Sequence, residues 1–280
     1  MYKIENIHEI HLLIKDIRDL RQDFLTNYYP DPIKTGLWVD NDLLYAEHFH
    51  QTNFILRKDT NFFHLYYCSS STNDLSAGLT SLLNRPEKIL YTIDLLGNKT
   101  DAAEIGGRIG SAGFFPYTSL IRMSRVTLDS DKSRLTDNPY LTEAVSNDSD
   151  EISGLLHQFF DPLAENLPLL SEIDSWINSG QVLVFKEANT IQGFLIYEIT
   201  GVTSYLRYWF VHPAHREKKI GSALIQEFFA RSSGTKRQLF WVIQSNENAI
   251  KRYHHYGFLP ENLVDNIYTN TNIRYGENNS

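Results

Sequence analysis

A basic loop between an apolar strand and an apolar helix holds the residues best suited to chemistry. Residues 205–212 are rich in aromatic and β-branched types, which is typical of a buried strand, and Pro213 ends it because proline has no N–H to donate. The loop 216–219 is followed by the small residues 221–223 and then by apolar residues at helical spacing. A helix start has unpaired N–H groups and a dipole that favours negative charge, so the pattern indicates a site for phosphate oxygens. The alternative is a loop of ordinary surface charges.

This stretch resembles the acyl-CoA-binding motif of the GCN5-related N-acetyltransferases (GNAT), whose pattern is Q/R-x-x-G-x-G/A. Arg216 matches the first position and Gly221 the last, whereas Lys219 replaces the first glycine. The Lys219 amide can still face a pyrophosphate, and its ammonium group adds attraction.

A second segment, residues 246–258 with the sequence NENAIKRYHHYGF, resembles another pattern of the same family, N-x-x-A-x-x-x-Y-x-x-x-G-F, at every marked position. Two motifs at a family-like separation are more specific than either alone. Together they imply that acetyl-CoA is the co-substrate and that it is bound by the following residues: Phe210, Val211, Arg216, Lys218, Lys219, Ile220, Gly221, Ser222, Ala223 and Asn246.

The resemblance also implies how the transfer is catalysed. Tyr253 would reach the thioester sulfur, and a phenol, whose ordinary pKa is about 10, can protonate a leaving thiolate. An N–H of the strand that ends at Val211, near a bulge, would stabilise the oxyanion. Two plainer roles stay open, namely Tyr253 as a packed helix aromatic and Asn246 as an ordinary helix N-cap.

The reaction also needs a general base. A substrate ammonium must lose a proton before it attacks, and Glu198, late in the predicted strand 191–198, is the candidate. The alternative is a solvated carboxylate at a strand end. His212 is expected to pack or to cap the strand end rather than to catalyse.

Strict alternation gives residues 205–211 two faces. The odd-numbered residues, including Trp209 and Val211, would share one face, and the even-numbered residues from Leu206 to Phe210 would share the other. Which face meets the substrate is left open by the pattern.

Metal and thiol chemistry are not indicated. Away from the strand end and basic loop at 212–219, histidines occur close together at three places, His8 with His11, His48 with His50, and His254 with His255. None has cysteine or carboxylate partners at a recognised spacing, so we expect no metal site. Cys68, the only cysteine, ends a predicted strand and is expected to be a buried structural thiol.

The elements that position these motifs follow the acetyltransferase order over residues 140–275: strand, two helices, three strands, helix, strand, helix, strands. The first half of the chain begins with a predicted helix over residues 4–27 and has strands near 53–57, 61–68 and 88–96.

The first half also repeats part of the second. The strand ILYTIDLL leads through Asn98 to a helix that ends in a Gly-Phe pair, as QLFWVIQ does through Asn246. We therefore predict an α/β (α+β) protein of two GNAT-like domains, each a mixed, mostly antiparallel central sheet flanked by helices. The boundaries are 1–132 for a degenerate N-terminal copy, 133–139 for a linker and 140–280 for the acetyl-CoA-binding domain. The first copy has no basic loop and is expected not to bind CoA, but to cap the acceptor side or to form an interface.

Composition excludes several classes of protein. The 280 residues are 42% hydrophobic and carry a formal net charge of −8, which argues against a disordered chain and against a general nucleic-acid binder. No stretch approaches the roughly 18 continuous apolar residues of a membrane span, and the N-terminus has charges where a signal peptide needs an apolar run. We expect a cytoplasmic protein that engages neither nucleic acid nor membrane.

These patterns favour an N-acetyltransferase that moves the acetyl group of acetyl-CoA to a primary amine of a small molecule or peptide, by direct attack in a ternary complex. One alternative is a non-catalytic acyl-CoA-binding or regulatory protein of the same fold. Another is an aminoacyl-tRNA-dependent transferase, against which the acidic charge and the CoA motif both count. The identity of the amine and a homodimeric state are left open.

Overall fold

The computed structural model describes residues 1–29, 31–133, 138–273 and 275. They divide into two compact units. Unit 1 comprises Met1–Leu120, Ile243–Ser245 and the described residues from Asn262 onward, and unit 2 comprises those of Ile121–Val242 and Asn246–Glu261. Neither unit is one continuous stretch of chain. Residues 134–137 of the predicted linker lie outside the described residues, so a domain boundary at 133–139 stays a prediction.

Unit 1 is built mainly from the first half of the chain, to which Ile243–Ser245 and most of the last strand, from Asn262 onward, are added. Its elements are β1 (Tyr2–Lys3), α1 (Ile7–Arg18), β2 (Leu25–Thr26), α2 (Pro32–Asp40), β3 (Leu44–Phe49), β4 (Thr52–Lys58), β5 (Phe62–Ser69), α3 (Thr72–Leu83), β6 (Leu90–Gly97), α4 (Lys99–Ser111) and the first part of β7 (Phe115–Val126). The first helix is shorter than predicted, because the chain leaves it after Arg18 and pairs Leu25–Thr26 with the end of β5.

Unit 2 carries both motifs. Its elements are the last part of β7, β8 (Leu141–Glu143), α5 (Ser149–Phe159), α6 (Leu170–Asn178), β9 (Val182–Glu187), β10 (Thr190–Thr200), β11 (Thr203–Val211), α7 (Ile220–Arg231), β12 (Arg237–Ile243), α8 (Glu247–His255) and the start of β13 (Leu259–Thr269). Short 3-10 turns lie at Asp129–Ser133, Ser146–Asp148 and Pro213–Lys218.

Each unit has a mixed, mostly antiparallel sheet flanked by helices, which confirms the predicted fold class. The strand order in unit 1 is β1-β3-β4-β5-β6-β13, with β2 beside β5, and in unit 2 it is β7-β12-β11-β10-β9-β8. The parallel neighbours β5 and β6, and likewise β11 and β12, are each joined through an intervening helix, as a parallel connection requires.

The helices of unit 2 cover its sheet in two layers. On one face α7 and α8 pack through buried residues that include Phe228, Phe240 and Phe258. On the other face α5 and α6 pack through a second cluster that includes Ile152, Ile173 and Phe194. The sheet is therefore buried on both sides, which explains the near-continuous apolar runs of its central strands.

A bulge in β11 breaks the strict alternation predicted for residues 205–211. Ile196 of β10 pairs with Tyr208, but Tyr197 pairs with Leu206, so Arg207 is the extra residue. Leu206 consequently packs on the α7–α8 face together with Trp209 and Val211. The prediction that Leu206 and Tyr208 share one face of the strand is therefore wrong.

Beyond this bulge β11 separates from its parallel neighbour. Only Thr203–Tyr205 pair with Arg237–Leu239 of β12, although β11 continues to Val211 and β12 to Ile243. The pairing in unit 1 is equally short, since only Phe62–His64 of β5 pair with Leu90–Thr92 of β6. Each unit therefore has an opening between two parallel strands.

Candidate active site

The start of α7 has the form of an anion site. The 3-10 turn Pro213–Lys218 leads to Lys219, after which the helix begins at Ile220. No side chain caps this helix start. Its first N–H groups are therefore available to an outside acceptor, and the helix dipole favours an anion there.

Lys219 adopts a backbone conformation that favours glycine. Its φ of 59° and ψ of 19° lie in the left-handed region, which costs an L-residue with a side chain about 1–2 kcal/mol. This is the position at which the family pattern has its first glycine. The lysine therefore keeps the backbone geometry of the turn, at a cost in strain.

Two of the three predicted basic side chains are without an ion pair. Arg216 and Lys219 are exposed and form none with any residue that the structure describes. Lys218 instead lies 2.6 Å from Glu187 and donates to Gln192 at 3.3 Å. The hydrogen bond from Lys218 lowers the pKa of the Glu187 carboxyl. Arg216 and Lys219 are thus the charges best placed to meet an incoming phosphate.

Gly193 of β10 lets α7 approach the sheet. A Cβ atom at this position would lie 2.8 Å from Cγ2 of Ile220 and 2.9 Å from the carbonyl oxygen of Phe210. Ile220 is fully buried, so its side chain anchors the helix against the sheet. Gly193 is not among the residues predicted from the motifs, although a lone glycine inside an apolar strand is a known sign of close approach.

The free edge of β11 presents hydrogen-bond donors to the opening. The N–H of His212 donates to the carbonyl oxygen of Gln192 on the β10 side at 2.8 Å. Because donors alternate along a strand, the N–H groups of Val211 and Trp209 point to the other side, from which β12 has separated. Val211 therefore offers the donor that the resemblance implies. Phe210 packs its ring on the opposite face and offers no side chain to this edge.

The remaining predicted binding residues lie around the same helix start. Gly221 faces β11, since a Cβ atom there would be 3.4 Å from Val211 and Trp209 side-chain atoms. Ser222 is exposed and Ala223 is half-buried in the first turn of α7. His212 caps the preceding 3-10 turn through Nδ1, which accepts from the Ala214 N–H at 3.3 Å, as the sequence predicted.

Helix α8 positions Asn246 and Tyr253. Asn246 caps the helix, with Oδ1 accepting from the Ala249 N–H at 3.1 Å. The Tyr253 ring packs against Phe240 and Trp209, with centroid distances of 4.3 and 5.6 Å. Asn246 is thus a helix N-cap and Tyr253 a packed helix aromatic, the two alternatives left open by the sequence. The Asn246 amide NH₂ and the Tyr253 hydroxyl still have no hydrogen bonds to the described residues. Burial raises the pKa of Tyr253 to about 12, so the phenol holds its proton at neutral pH.

Trp209 supplies an unsatisfied donor beside these groups. Its Nε1 is buried and has no hydrogen-bond partner among the residues that the structure describes. The indole lies against Gly221 and Tyr253. A buried donor without an acceptor is costly, which suggests that a ligand satisfies it.

Glu198 is engaged on both carboxylate oxygens. Oε1 accepts from the Trp176 indole N–H at 2.7 Å, and Oε2 forms an ion pair with the bulge residue Arg207. A proton could reach this carboxylate only in competition with these partners. The structure therefore brings Tyr253, Val211 and the α7 turn together, but it ties Glu198 to Arg207.

Glu165 is a candidate that the sequence analysis missed. It lies between α5 and α6 in a segment whose apolar residues Leu163, Ala164 and Leu167 are buried. Oε2 accepts from the Asp161 N–H at 2.9 Å, and burial raises the pKa of the carboxyl to about 7. The irregular sequence FFDPLAENLPLL contains no motif that could have indicated this environment.

In unit 1 the opening between β5 and β6 is filled by the chain itself. The Asn27 side chain donates to the carbonyl oxygens of Leu65 and Asp94 at 3.1 and 3.0 Å and accepts from the Tyr67 N–H at 2.7 Å. The Thr26 hydroxyl donates to the carbonyl oxygen of Tyr67 at 2.7 Å. Asn27 therefore bridges the two strands where they separate.

The helix start that follows β5 is occupied as well. Ser71 caps α3, and the hydroxyls of Ser70 and Ser71 donate to the Asp74 carboxylate at 2.9 and 2.5 Å. The hydrogen bond from Ser71 lowers the pKa of Asp74, so this helix start carries a negative charge of its own. An outside anion would be repelled there.

Other chemistry finds little support in the described ranges. Within residues 1–29, 31–133, 138–273 and 275, no three His, Cys, Asp or Glu side chains are grouped so that they could hold a metal ion. Cys68 is buried beside the Thr26 hydroxyl, and burial raises the pKa of its thiol, as befits a structural residue. No helix in these ranges is long and apolar enough to cross a membrane.

Comparison with known proteins points to one family. Residues 151–258 match the acetyltransferase (GNAT) family. The matched range contains α7, Tyr253 and Glu165. Comparison with curated protein sequences gave no match.

Solved structures of GNAT proteins share the fold over most of the chain. A GCN5-related N-acetyltransferase from Sphaerobacter thermophilus aligns with a TM-score of 0.54 at 13% identity, covering 88% of this chain and 95% of its own. A GNAT acetyltransferase from Colwellia psychrerythraea gives 0.51 at 11% identity, covering 95% and 97%. A tandem GNAT protein from the clavulanic acid biosynthesis pathway gives 0.53 at 11% identity, covering 88% and 97%.

Proposed function

We propose that unit 2 transfers the acetyl group of acetyl-CoA to a primary amine of a small molecule or peptide. The observation that carries this proposal is the opening between β11 and β12, which has the uncapped start of α7 at one end and Tyr253 beside it. The match of residues 151–258 to the GNAT family supports it.

The residues around the opening fit acetyl-CoA. The first N–H groups of α7, with Arg216 and Lys219 beside them, would hold the pyrophosphate. The outward backbone groups of β11 and the unsatisfied Nε1 of Trp209 would bind polar atoms of the rest of the molecule. The Asn246 amide NH₂ at the start of α8, which has no partner among the described residues, would add a further donor.

Bound acetyl-CoA would supply the activated acyl group, and the chain would orient it and manage the protons. The outward N–H of Val211 would donate to the acyl oxygen as negative charge develops there. Tyr253, held protonated by burial, would give its proton to the departing sulfur. The acceptor amine would attack directly while both substrates are bound.

We further propose that unit 1 is a degenerate second copy of the same fold that does not bind CoA. It has the same short parallel pairing followed by an opening, but Asn27 fills the opening and Asp74 occupies the helix start. The tandem GNAT protein among the structural neighbours offers a precedent for two copies in one chain.

The proposal is tested by adding acetyl-CoA to the full chain, followed by an amine panel. Acetyl-CoA should raise the melting temperature, because a ligand that binds only the folded state stabilises it. Thiol release should then appear with at least one amine among amino acids, polyamines, aminoglycosides and peptide N-termini. Tyr253→Phe should keep the thermal shift but lower kcat by about 10²-fold, the contribution typical of a general acid.

The outcomes separate the alternatives. No thermal shift at millimolar acetyl-CoA would contradict a CoA site. A thermal shift without thiol release from any amine would favour the non-catalytic acyl-CoA-binding protein. Unchanged turnover in Tyr253→Phe would remove the hydroxyl from the mechanism.

A further inference from the structure

We propose that Glu165, not Glu198, takes the proton from the acceptor ammonium. This rests on the acetyl transfer proposed for unit 2 and assigns the missing base of that reaction. Three features of the structure carry it: an unoccupied carboxylate oxygen, a fixed position beside β11, and an electrostatic link to Tyr253.

The first feature is the hydrogen bonding of the two carboxylates. Oε2 of Glu165 is held by the Asp161 N–H, whereas Oε1 accepts no hydrogen bond from the residues that the structure describes and is not sealed from solvent. Both oxygens of Glu198 are engaged by Trp176 and Arg207. Glu165 can therefore accept a proton without breaking an ion pair, and Glu198 cannot.

The second feature is the anchoring of the segment that carries Glu165. The Tyr208 hydroxyl is shared between the carbonyl oxygens of Glu165 and Asn166, at 3.1 and 3.0 Å. Tyr208 belongs to β11 and directly precedes Trp209, which contacts Tyr253. The backbone of Glu165 is thus fixed to the strand that borders the opening.

The third feature links two opposite layers of unit 2. Glu165 lies on the α5–α6 side of the sheet, and Tyr253 lies on α8. Burial raises the pKa of Tyr253, Arg252 lowers it, and the charge of Glu165 raises it further. The charge of a group on one layer therefore acts on a group of the other layer in the part of unit 2 where β11 is no longer paired with β12.

The protonation behaviour of Glu165 suits a base. Burial raises the pKa of its carboxyl to about 7, the Asp161 N–H lowers it, and the Asp161 carboxylate raises it again. Tyr208 on β11 also contacts this segment, since its hydroxyl donates to the Glu165 carbonyl oxygen, and Glu165 is close enough to Tyr253 on α8 for its charge to raise the pKa of that phenol. A carboxyl group whose pKa lies near the working pH is deprotonated in a large fraction of molecules and still binds a proton strongly enough to take it from the substrate.

The proton balance of the step is complete. Oε1 of Glu165 takes one proton from the ammonium, and the freed nitrogen lone pair forms the C–N bond to the acyl carbon. The C–S bond breaks, and Tyr253 protonates the departing sulfur. The second nitrogen proton restores the Tyr253 phenol, and Glu165 releases its proton to solvent. One ammonium and one thioester thus give one amide, one thiol and one proton.

The test compares Glu165→Gln with the matched control Glu198→Gln in the full chain, using an amine that the wild type acetylates. Wild-type kcat/KM should rise with pH through about 7, because the base must be deprotonated. Glu165→Gln should keep the acetyl-CoA thermal shift, lose about 10²-fold or more in kcat, and lose this limb of the profile. Glu198→Gln should keep the limb.

Several results would overturn the proposal. Glu165→Gln with the limb intact and turnover within about threefold of wild type would exclude Glu165 while leaving the acetyl transfer in place. Loss of the limb in Glu198→Gln alone would assign the base to Glu198. An acetyl-CoA thermal shift without turnover of any amine by the wild type would overturn both proposals. If Glu165→Gln fails to fold, Glu165→Asp, which keeps the charge but withdraws it by one methylene, should show the same loss of kcat.

Discussion

Lys219 combines a strained backbone with a charge at the start of α7. Its left-handed conformation favours glycine, so the ammonium group has been gained at a cost in conformational energy. An exposed side chain at this helix start can contribute to ligand binding but has little to pack against.

Two substitutions separate these effects. Lys219→Ala and Lys219→Gly both remove the ammonium and should weaken acetyl-CoA binding several-fold, with the difference from wild type shrinking at high salt. Lys219→Gly should be more stable than Lys219→Ala by about 1 kcal/mol, because only glycine relieves the strain. Denaturant unfolding and titration calorimetry would measure the two quantities. Equal stability of the variants would contradict the strain, and unchanged affinity would exclude the ammonium from the binding site.

At this scale the sequence indicated the local part of the candidate site. Arg216, Gly221, Asn246 and Tyr253 belong to short segments whose spacing determines a turn or a helix face. Gly221 and Tyr253 both lie against Trp209, and a common site for all four residues stays a prediction. Glu165 could not be found this way, because its environment depends on the burial of a whole irregular segment.

At the scale of elements, the distance between α7 and β10 is set by Gly193. The helix rests on the strand through Ile220, and no space remains for a side chain at position 193. The anion site at the helix start therefore depends on a residue that touches no ligand.

Gly193→Ala should destabilise the protein by about 1–3 kcal/mol, the usual cost of an added methyl group in a packed core, and should weaken acetyl-CoA binding. Gly154→Ala is the matched control. It lies in α5 with no atom within 4 Å of the added Cβ, so the alanine should stabilise the helix by about 1 kcal/mol. Thermal unfolding of both variants, with and without acetyl-CoA, checks the opposite signs. Equal melting temperatures would contradict the close approach at Gly193.

The order of elements in unit 2 could be predicted from its periodic patterns. Two details, one in each unit, could not. The bulge at Arg207 arises from the pairing of β11 with β10 and leaves no trace in the strand's composition. The early end of α1 arises from the bonds that Thr26 and Asn27 make with β5, about forty residues away in sequence. Long-range pairing of this kind overrides local helix periodicity.

At the scale of the whole molecule, the two units differ in what fills the opening between their parallel strands. Unit 1 closes its own with Asn27 and carries the Asp74 charge at the adjoining helix start. In unit 2 the outward N–H groups of Trp209 and Val211 have no partner among the residues that the structure describes.

One acetyl-CoA should therefore bind per chain. Gly221→Asp, which puts a negative charge at the start of α7, should abolish all binding, since unit 1 offers no second site. Titration calorimetry gives the stoichiometry, and circular dichroism of the variant checks that it is folded. A stoichiometry of two, or binding that persists in a folded Gly221→Asp, would contradict the closed opening of unit 1.

The return of the last strand to unit 1 has a consequence for synthesis on the ribosome. β6 pairs along Thr92–Gly97 with Val264–Thr269 of β13, which leave the ribosome some 170 residues later. Until then β6 lacks this neighbour, and its unpaired edge is exposed to other chains. Unit 1 is the first to be synthesised and the last to be completed, so a nascent chain released before residue 264 would leave both its sheet and its folding unfinished.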